Sequence, residues 1–172
     1  LHMNSLYITN NQSIIVGLSR VNQIMAINYL NGDVLWKVDQ SWKFINDPFH
    51  GFANQHSAIF QNNYLAMYDN GTAERKVSRF VMYLLDFENK SATLVKEYRA
   101  DKSYPFRECE GSIQILPNKN ILIGWGDGDG GVISARQKLP LFTEITPEGN
   151  KVRELISLNG QTSYRVYFQP SP

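Results

Sequence analysis

The chain has 172 residues, 42% hydrophobic and 12% aromatic, which excludes a disordered polymer and leaves room for one ordinary domain rather than two. Its 17 Lys+Arg against 16 Asp+Glu give a net charge of +1, too little to draw nucleic acid or an anionic membrane, and no apolar run approaches the ~20 residues of a membrane helix. The single cysteine, Cys109, excludes an internal disulfide and a cysteine-cluster metal site but leaves the compartment open.

The chain opens Leu1-His2-Met3, with neither an initiator methionine nor a signal-peptide pattern, and reads as a piece of something longer. A first hairpin is predicted from Asn4-Ser5-Leu6-Tyr7-Ile8, a turn at Asn10-Asn11-Gln12, and Ile14-Ile15-Val16-Gly17-Leu18. Ile24–Asn28 and Val34–Val38, joined around Asn31-Gly32, supply two more strands. A long connection, Asp39 to Gln55, carries Trp42, Phe44, Phe49, His50 and Phe52; it suits a binding loop or an Ω-loop packed on its own aromatics. The pattern then recurs: His56–Phe60, Asn62-Asn63, Tyr64–Tyr68, and the strands Phe80–Asp86 and Ala92–Tyr98. A second long connection, Arg99 to Glu110, holds Tyr104 and Phe106. A third unit runs Gly111–Ile115, Pro117–Asn120, Ile121–Trp125, Leu141–Ile145 and Lys151–Leu155, and Thr162–Val166 repeats the first strand again.

Ser5, Ser57, Ser112 and Ser163 mark this repeat at intervals of about fifty residues, with four strands per unit. The expected fold is all-β, a partial β-propeller with blade-like repeats at 2–38, 54–98 and 110–156 and a strand at 162–169. A β-sandwich also shows short, evenly spaced strands, but its strands need not resemble one another position by position.

In a propeller the heads of the inner strands converge on one mouth of the channel. Those heads are His2 and Asn4, then Asn54, Gln55 and His56, then Glu110, then Tyr164 and Arg165; Arg20, just past the second strand, lies near the same mouth. Guanidinium, amide and imidazole groups around one opening suit an anionic tetrahedral group: Arg binds its oxygens bidentately and a neutral His acts as nucleophile or as acid and base. For His56 the alternative is a channel histidine satisfied by backbone, and for His2 a terminal remnant. His50 reads as a surface or packing residue. Asp127-Gly128-Asp129-Gly130 reads as a turn, because Lys138 stands where a calcium loop needs its Glu. Gly124 to Gly131 lacks the Gly-Lys-Ser/Thr of a phosphate loop. Glu108 and Glu110 flank Cys109 and disfavour a thiolate. Asp69-Asn70-Gly71 and Ser78-Arg79 flank the channel-side loop of the second repeat and are candidates to orient the site, with Asn70-Gly71 also reading simply as a good turn.

The pieces His2-Met3-Asn4-Ser5, Leu18-Ser19-Arg20, Gly32-Asp33-Val34-Leu35-Trp36, Asn54-Gln55-His56-Ser57-Ala58, Met67-Tyr68-Asp69-Asn70-Gly71, Ser78-Arg79, Gly111–Leu116 and Ser163-Tyr164-Arg165-Val166 together resemble the aryl-sulfate sulfotransferases that use no nucleotide sulfate donor. The resemblance implies the C-terminal part of a six-bladed catalytic propeller without cofactor or metal. It implies sulfuryl transfer from a phenolic sulfate ester to a phenol through a sulfohistidine at His56. Arg20 and Asn4 would then bind the sulfuryl oxygens, His2 would exchange the phenolic proton, and Gln55, Arg165 and Tyr164 would contact substrate. The aromatic loop between Asp39 and Gln55 is a further candidate for holding the aryl ring. A channel histidine that the family contributes from its N-terminal half has no counterpart here. An extracytoplasmic or periplasmic location is expected, with no nucleic-acid partner, no membrane span and room for a homo-oligomer. The competing readings are a non-catalytic propeller that binds a protein or glycan, and a quinone-dependent dehydrogenase sharing the turn before Trp36.

Overall fold

The computed structural model describes residues 2–101, 107–126, 139–159 and 161–169. Strands β1 (Met3–Ile8), β2 (Ser13–Leu18), β3 (Gln23–Asn28) and β4 (Val34–Val38) form one antiparallel sheet in chain order. A second meander joins β6 (His56–Gln61), β7 (Tyr64–Asp69), β8 (Arg79–Asp86) and β9 (Ser91–Arg99), and a third joins β10 (Ser112–Ile115), β11 (Ile121–Gly124), β12 (Leu139–Ile145) and β13 (Lys151–Ser157). The fold is therefore all-β, with the repeated four-stranded antiparallel sheets of a propeller. Local chemistry agrees: Asn62 and Asn63, with φ of 51° and 63°, make the two-residue turn whose twist matches a hairpin.

Each sheet buries alternate side chains against its neighbour. Ile15, Ile24, Ala26 and Val38 of the first pack with Leu65, Met67, Val81 and Tyr83 of the second. The opposite face of the second, Ala66, Tyr68 and Phe80, meets Ile113, Ile121, Ile123, Trp125 and Ile145 of the third. Burying each large side chain is worth about 1.5–3 kcal/mol, so these two layers carry most of the cohesion.

Neighbouring inner strands are joined by the repeat serines. Ser57 Oγ accepts from Ile113 N (3.1 Å) and donates to Ile113 O (3.2 Å), and Ser112 Oγ does the same with Val166 N (2.9 Å) and Val166 O (3.1 Å). Ser5 Oγ accepts from Ala58 N at 3.4 Å. Gly17 and Gly124 make room for two of these hydroxyls: a Cβ there would stand 2.2 Å from Ser5 Oγ and 2.6 Å from Ser112 Oγ.

Two expectations change. The connection after Asp39 contains a further strand, β5 (Lys43–Ile45), which pairs parallel with β9 and makes the second sheet five-stranded. Residues 161–169 form no strand, although they run along β10 through Ser112 and through Gln114, which bonds Phe168 in both directions at 2.7 and 3.0 Å. The Asp127–Gly130 turn, Lys138, Tyr104 and Phe106 lie outside the described residues.

Candidate functional site

The β1–β2 pairing is prolonged beyond Met3 and Leu18 by a bond from Ser19 N to His2 O (3.2 Å), and a 3-10 turn, Ser19–Val21, follows at once. His2 and Arg20, eighteen residues apart in the chain, thereby meet at one end of the first sheet. Asn22 ends that turn in the left-handed region (φ 48°), and its Oδ1 accepts from Asn54 N (2.8 Å), tying the first sheet to the entry of β6. Two irregularities sit at this same end, where the β1 register shifts between Met3 and Ser5 and the β6 register between His56 and Ile59, with Ser57 at φ 55°. Bulges of this kind re-aim side chains at strand ends.

The result is a cleft of about 330 Å³ lined by His2, Ser19, Arg20, Asn54, His56, Glu108 and Cys109. His56 is 6% exposed. Its Nδ1 lies 3.0 Å from Asn54 O and 2.7 Å from Asn70 Oδ1. Asn70 is itself oriented, because its Nδ2 donates to Arg107 O and Glu110 O, both at 3.0 Å, so its oxygen faces the ring. Two acceptors on Nδ1 require the proton there, which leaves the lone pair on Nε2. Burial is the main force holding His56 below its ordinary 6.5; the bonds to Asn70 and Asn54 oppose it, and the charges of Arg165 and His2 reinforce it. The ring is therefore a neutral base at neutral pH.

His2, Arg20 and His56 come together as the sequence suggested, and the remaining candidates stand around them. Asn4 and Gln55 are buried behind the cleft: Asn4 Nδ2 donates to Gln55 O (2.7 Å) and Gln55 Nε2 to Gln23 O (2.9 Å). Their amides lace the sheets together and do not line the opening. Arg165 donates to Asn4 O (2.5 Å), lies over the Tyr164 ring (5.3 Å) and lines a separate groove with Leu6, Ile59 and Tyr167. Tyr164 O accepts from Gly111 N (3.0 Å). The aromatic loop faces away from the cleft: Trp42 and Phe52 are core residues, Phe44 packs on Phe52 and Tyr83, and Phe49 lies beneath Arg75, Arg79 and Arg99. His50 is exposed in that loop. Asn54, expected as a strand head, and Asn70, expected among the residues that orient the site, are the two whose oxygens hold the ring. Among the described residues, no three His, Cys, Asp or Glu are grouped to hold a metal, and no helix is long and apolar enough to cross a membrane.

The chain is similar in fold to a protein of unknown function from Bacteroides caccae (TM-score 0.60, 16% identity, 92% of this chain and 53% of that one). It is also similar to the PQQ-bound aldose sugar dehydrogenase of Streptomyces coelicolor (TM-score 0.55, 17% identity, 86% and 45%) and to hydrazine synthase of Kuenenia stuttgartiensis (TM-score 0.51, 11% identity, 90% and 35%). This chain thus spans about half of the first of these, 53%, and less of the others. No curated protein matches it. The family model for arylsulfotransferase (ASST) matches residues 1–138, the stretch that contains every residue lining the cleft, and the chain belongs to the arylsulfotransferase family.

Proposed function

We propose that this chain carries the sulfuryl-transfer site of an arylsulfotransferase and forms part of a larger, closed, six-bladed propeller. The observation that carries the reading is the state of His56: a buried neutral imidazole, its proton committed to Asn54 and Asn70 through Nδ1, with Nε2 left for a cleft that also holds Arg20 and His2.

Nε2 attacks the sulfur of an aryl sulfate. The N–S bond forms as the S–O(aryl) bond breaks, and the phenolate leaves and takes a proton from His2. The sulfo-imidazolium keeps its Nδ1–H bonds to two oxygens, whose dipoles offset the new positive charge. An acceptor phenol then loses its proton to His2 and attacks the same sulfur, restoring neutral His56. Arg20 neutralises the sulfuryl oxygens throughout. Asn4 acts here by holding the β1 end rather than by touching substrate, and Arg165 with Tyr164 borders the channel side. An extracytoplasmic site of action fits a reaction that requires no nucleotide cofactor.

The test uses the full-length protein with 4-nitrophenyl sulfate. Wild type should release nitrophenol, accumulate one SO3 on His56 when acceptor is absent, and pass it to added phenol; His56→Gln should abolish all three. Nitrophenol release unaffected by that substitution overturns the assignment.

A further inference from the structure

The two oxygens that hold His56 belong to separate segments, Asn54 before β6 and Asn70 after β7, and something must fix their spacing. Asp69 stands between them. Its buried Oδ1 accepts from Ala53 N (2.9 Å), Gly71 N (3.2 Å) and Arg75 Nη2, and its Oδ2 accepts from Arg79 Nε (2.8 Å). Ala53 immediately precedes Asn54, and Gly71 immediately follows Asn70. The same knot is closed by Gly71 N to Ala53 O (3.0 Å) and by Asn54 Nδ2 to Gly71 O (2.9 Å).

Arg79 in turn is held away from rotation: Nη1 donates to Asp47 (3.0 Å) and Glu97 (2.9 Å), and Nη2 to Asp47 (3.0 Å) and Gly51 O (3.0 Å). A carboxylate accepts on both oxygens, so it serves Ala53, Gly71 and Arg75 through Oδ1 and Arg79 through Oδ2; an amide keeps one accepting oxygen and turns an NH2 group toward the Arg79 Nε donor. Only the charged side chain suits this position.

We propose that Asp69, locked by Arg79, is a positioning residue that keeps His56 in its Nδ1–H form by holding Asn54 and Asn70 at a fixed spacing. The role builds on the sulfuryl-transfer reading, yet the ring can be observed without substrate.

The experiment is nitrogen NMR of 15N-histidine-labelled full-length protein, with His56 identified by its loss in His56→Gln. Arg20, Arg165, His2, Glu108 and Cys109, which face the ring from the other elements, are left in place. Wild type should show one tautomer, protonated at Nδ1, titrating below 6.5. Asp69→Asn should mix the two tautomers and lower the midpoint further below 6.5, because the bonds to Asn70 and Asn54 that oppose burial are weakened, while kcat for 4-nitrophenyl sulfate falls about 10²-fold and KM changes little. Arg75→Gln, a milder change on the half-buried side of the knot, should move tautomer and midpoint in the same direction by less. A folded Asp69→Asn protein with the wild-type tautomer and midpoint overturns the proposal. If Asp69→Asn fails to fold, an unchanged ring in Arg75→Gln overturns it instead. A shifted ring in a protein that never releases nitrophenol supports the positioning role and rejects the sulfuryl-transfer reading alone.

Discussion

Replacing Arg79 by Met isolates the cost of the buried ion network. Asp47 and Asp69, whose side chains are 0% exposed, would lose a charge-assisted donor, as would the partly covered Glu97. Asp47 would retain Tyr83 OH (2.6 Å) and the amides of Phe49 (3.0 Å) and Gly51 (3.1 Å); Asp69 would retain Arg75 and two amides. Removing one member of a buried network costs about 3–5 kcal/mol, and the surviving donors place the expectation near 4, against the about 5–15 that hold a domain together. The pH dependence has a definite sign. In the wild type, burial raises the Asp47 carboxyl, but bonds from Arg79, Tyr83 and Phe49 outweigh it and hold the group below 3.8; its contribution is present above that value and is lost only as pH falls through the depressed one. In the Arg79→Met protein burial is opposed only by the bonds from Tyr83, Phe49 and Gly51, the Asp47 value rises, and protonation relieves part of the penalty as the solution is acidified. Urea unfolding of the full-length protein, followed by tryptophan fluorescence, should show a gap of about 4 kcal/mol at pH about 7 that narrows by pH about 5. A loss under about 1 kcal/mol, or a gap equal at both pH values, refutes the reasoning.

The acid limb of the donor half-reaction should follow the His56 free base and fall off below pH 6.5, which a pH–rate profile with 4-nitrophenyl sulfate would read. Gly17→Ala places a Cβ 2.2 Å from Ser5 Oγ and should destabilise by about 1–3 kcal/mol; in a double-mutant cycle with Ser5→Ala most of that cost should vanish. Ser57→Ala orphans Ile113 N and should cost about 1–3 kcal/mol in denaturant unfolding, whereas an effect near zero would show that the hydroxyl is not a joint.

The strands were legible because their signals are local: alternation, Asn-rich turns and a repeat of about fifty residues. β5 was not, since Lys43-Phe44-Ile45 is too short for a period and its partner, β9, is distant and parallel. The serines announced the repeat, but their role as hydroxyl joints became visible only with the sheets side by side. The last joint also falls on Val166 rather than on Tyr164, the residue that follows Ser163 as Ile113 follows Ser112. At the cleft, His2, Arg20 and His56 were readable from the strand heads and the family resemblance. Asn70 was readable only as a residue near the site that could orient it; its bond to His56 became visible only with the end of β7 beside the bulged start of β6. Asn4 and Gln55 illustrate the converse: the right residue types at the right heads, turned to lacing backbone.

The placement of those joints has a mechanical outcome. Between the first and second sheets, the bonds Asn4–Gln55, Asn22–Asn54, Gln55–Gln23 and Ser5–Ala58 all cluster at the end that bears the cleft, whereas the core between the sheets is held by non-directional apolar packing. Any rocking of one sheet on the other therefore pivots about this cluster. Groups at a pivot have almost no lever arm, so His2 and Arg20 on one side and His56 on the other keep their separation while the outer strands swing.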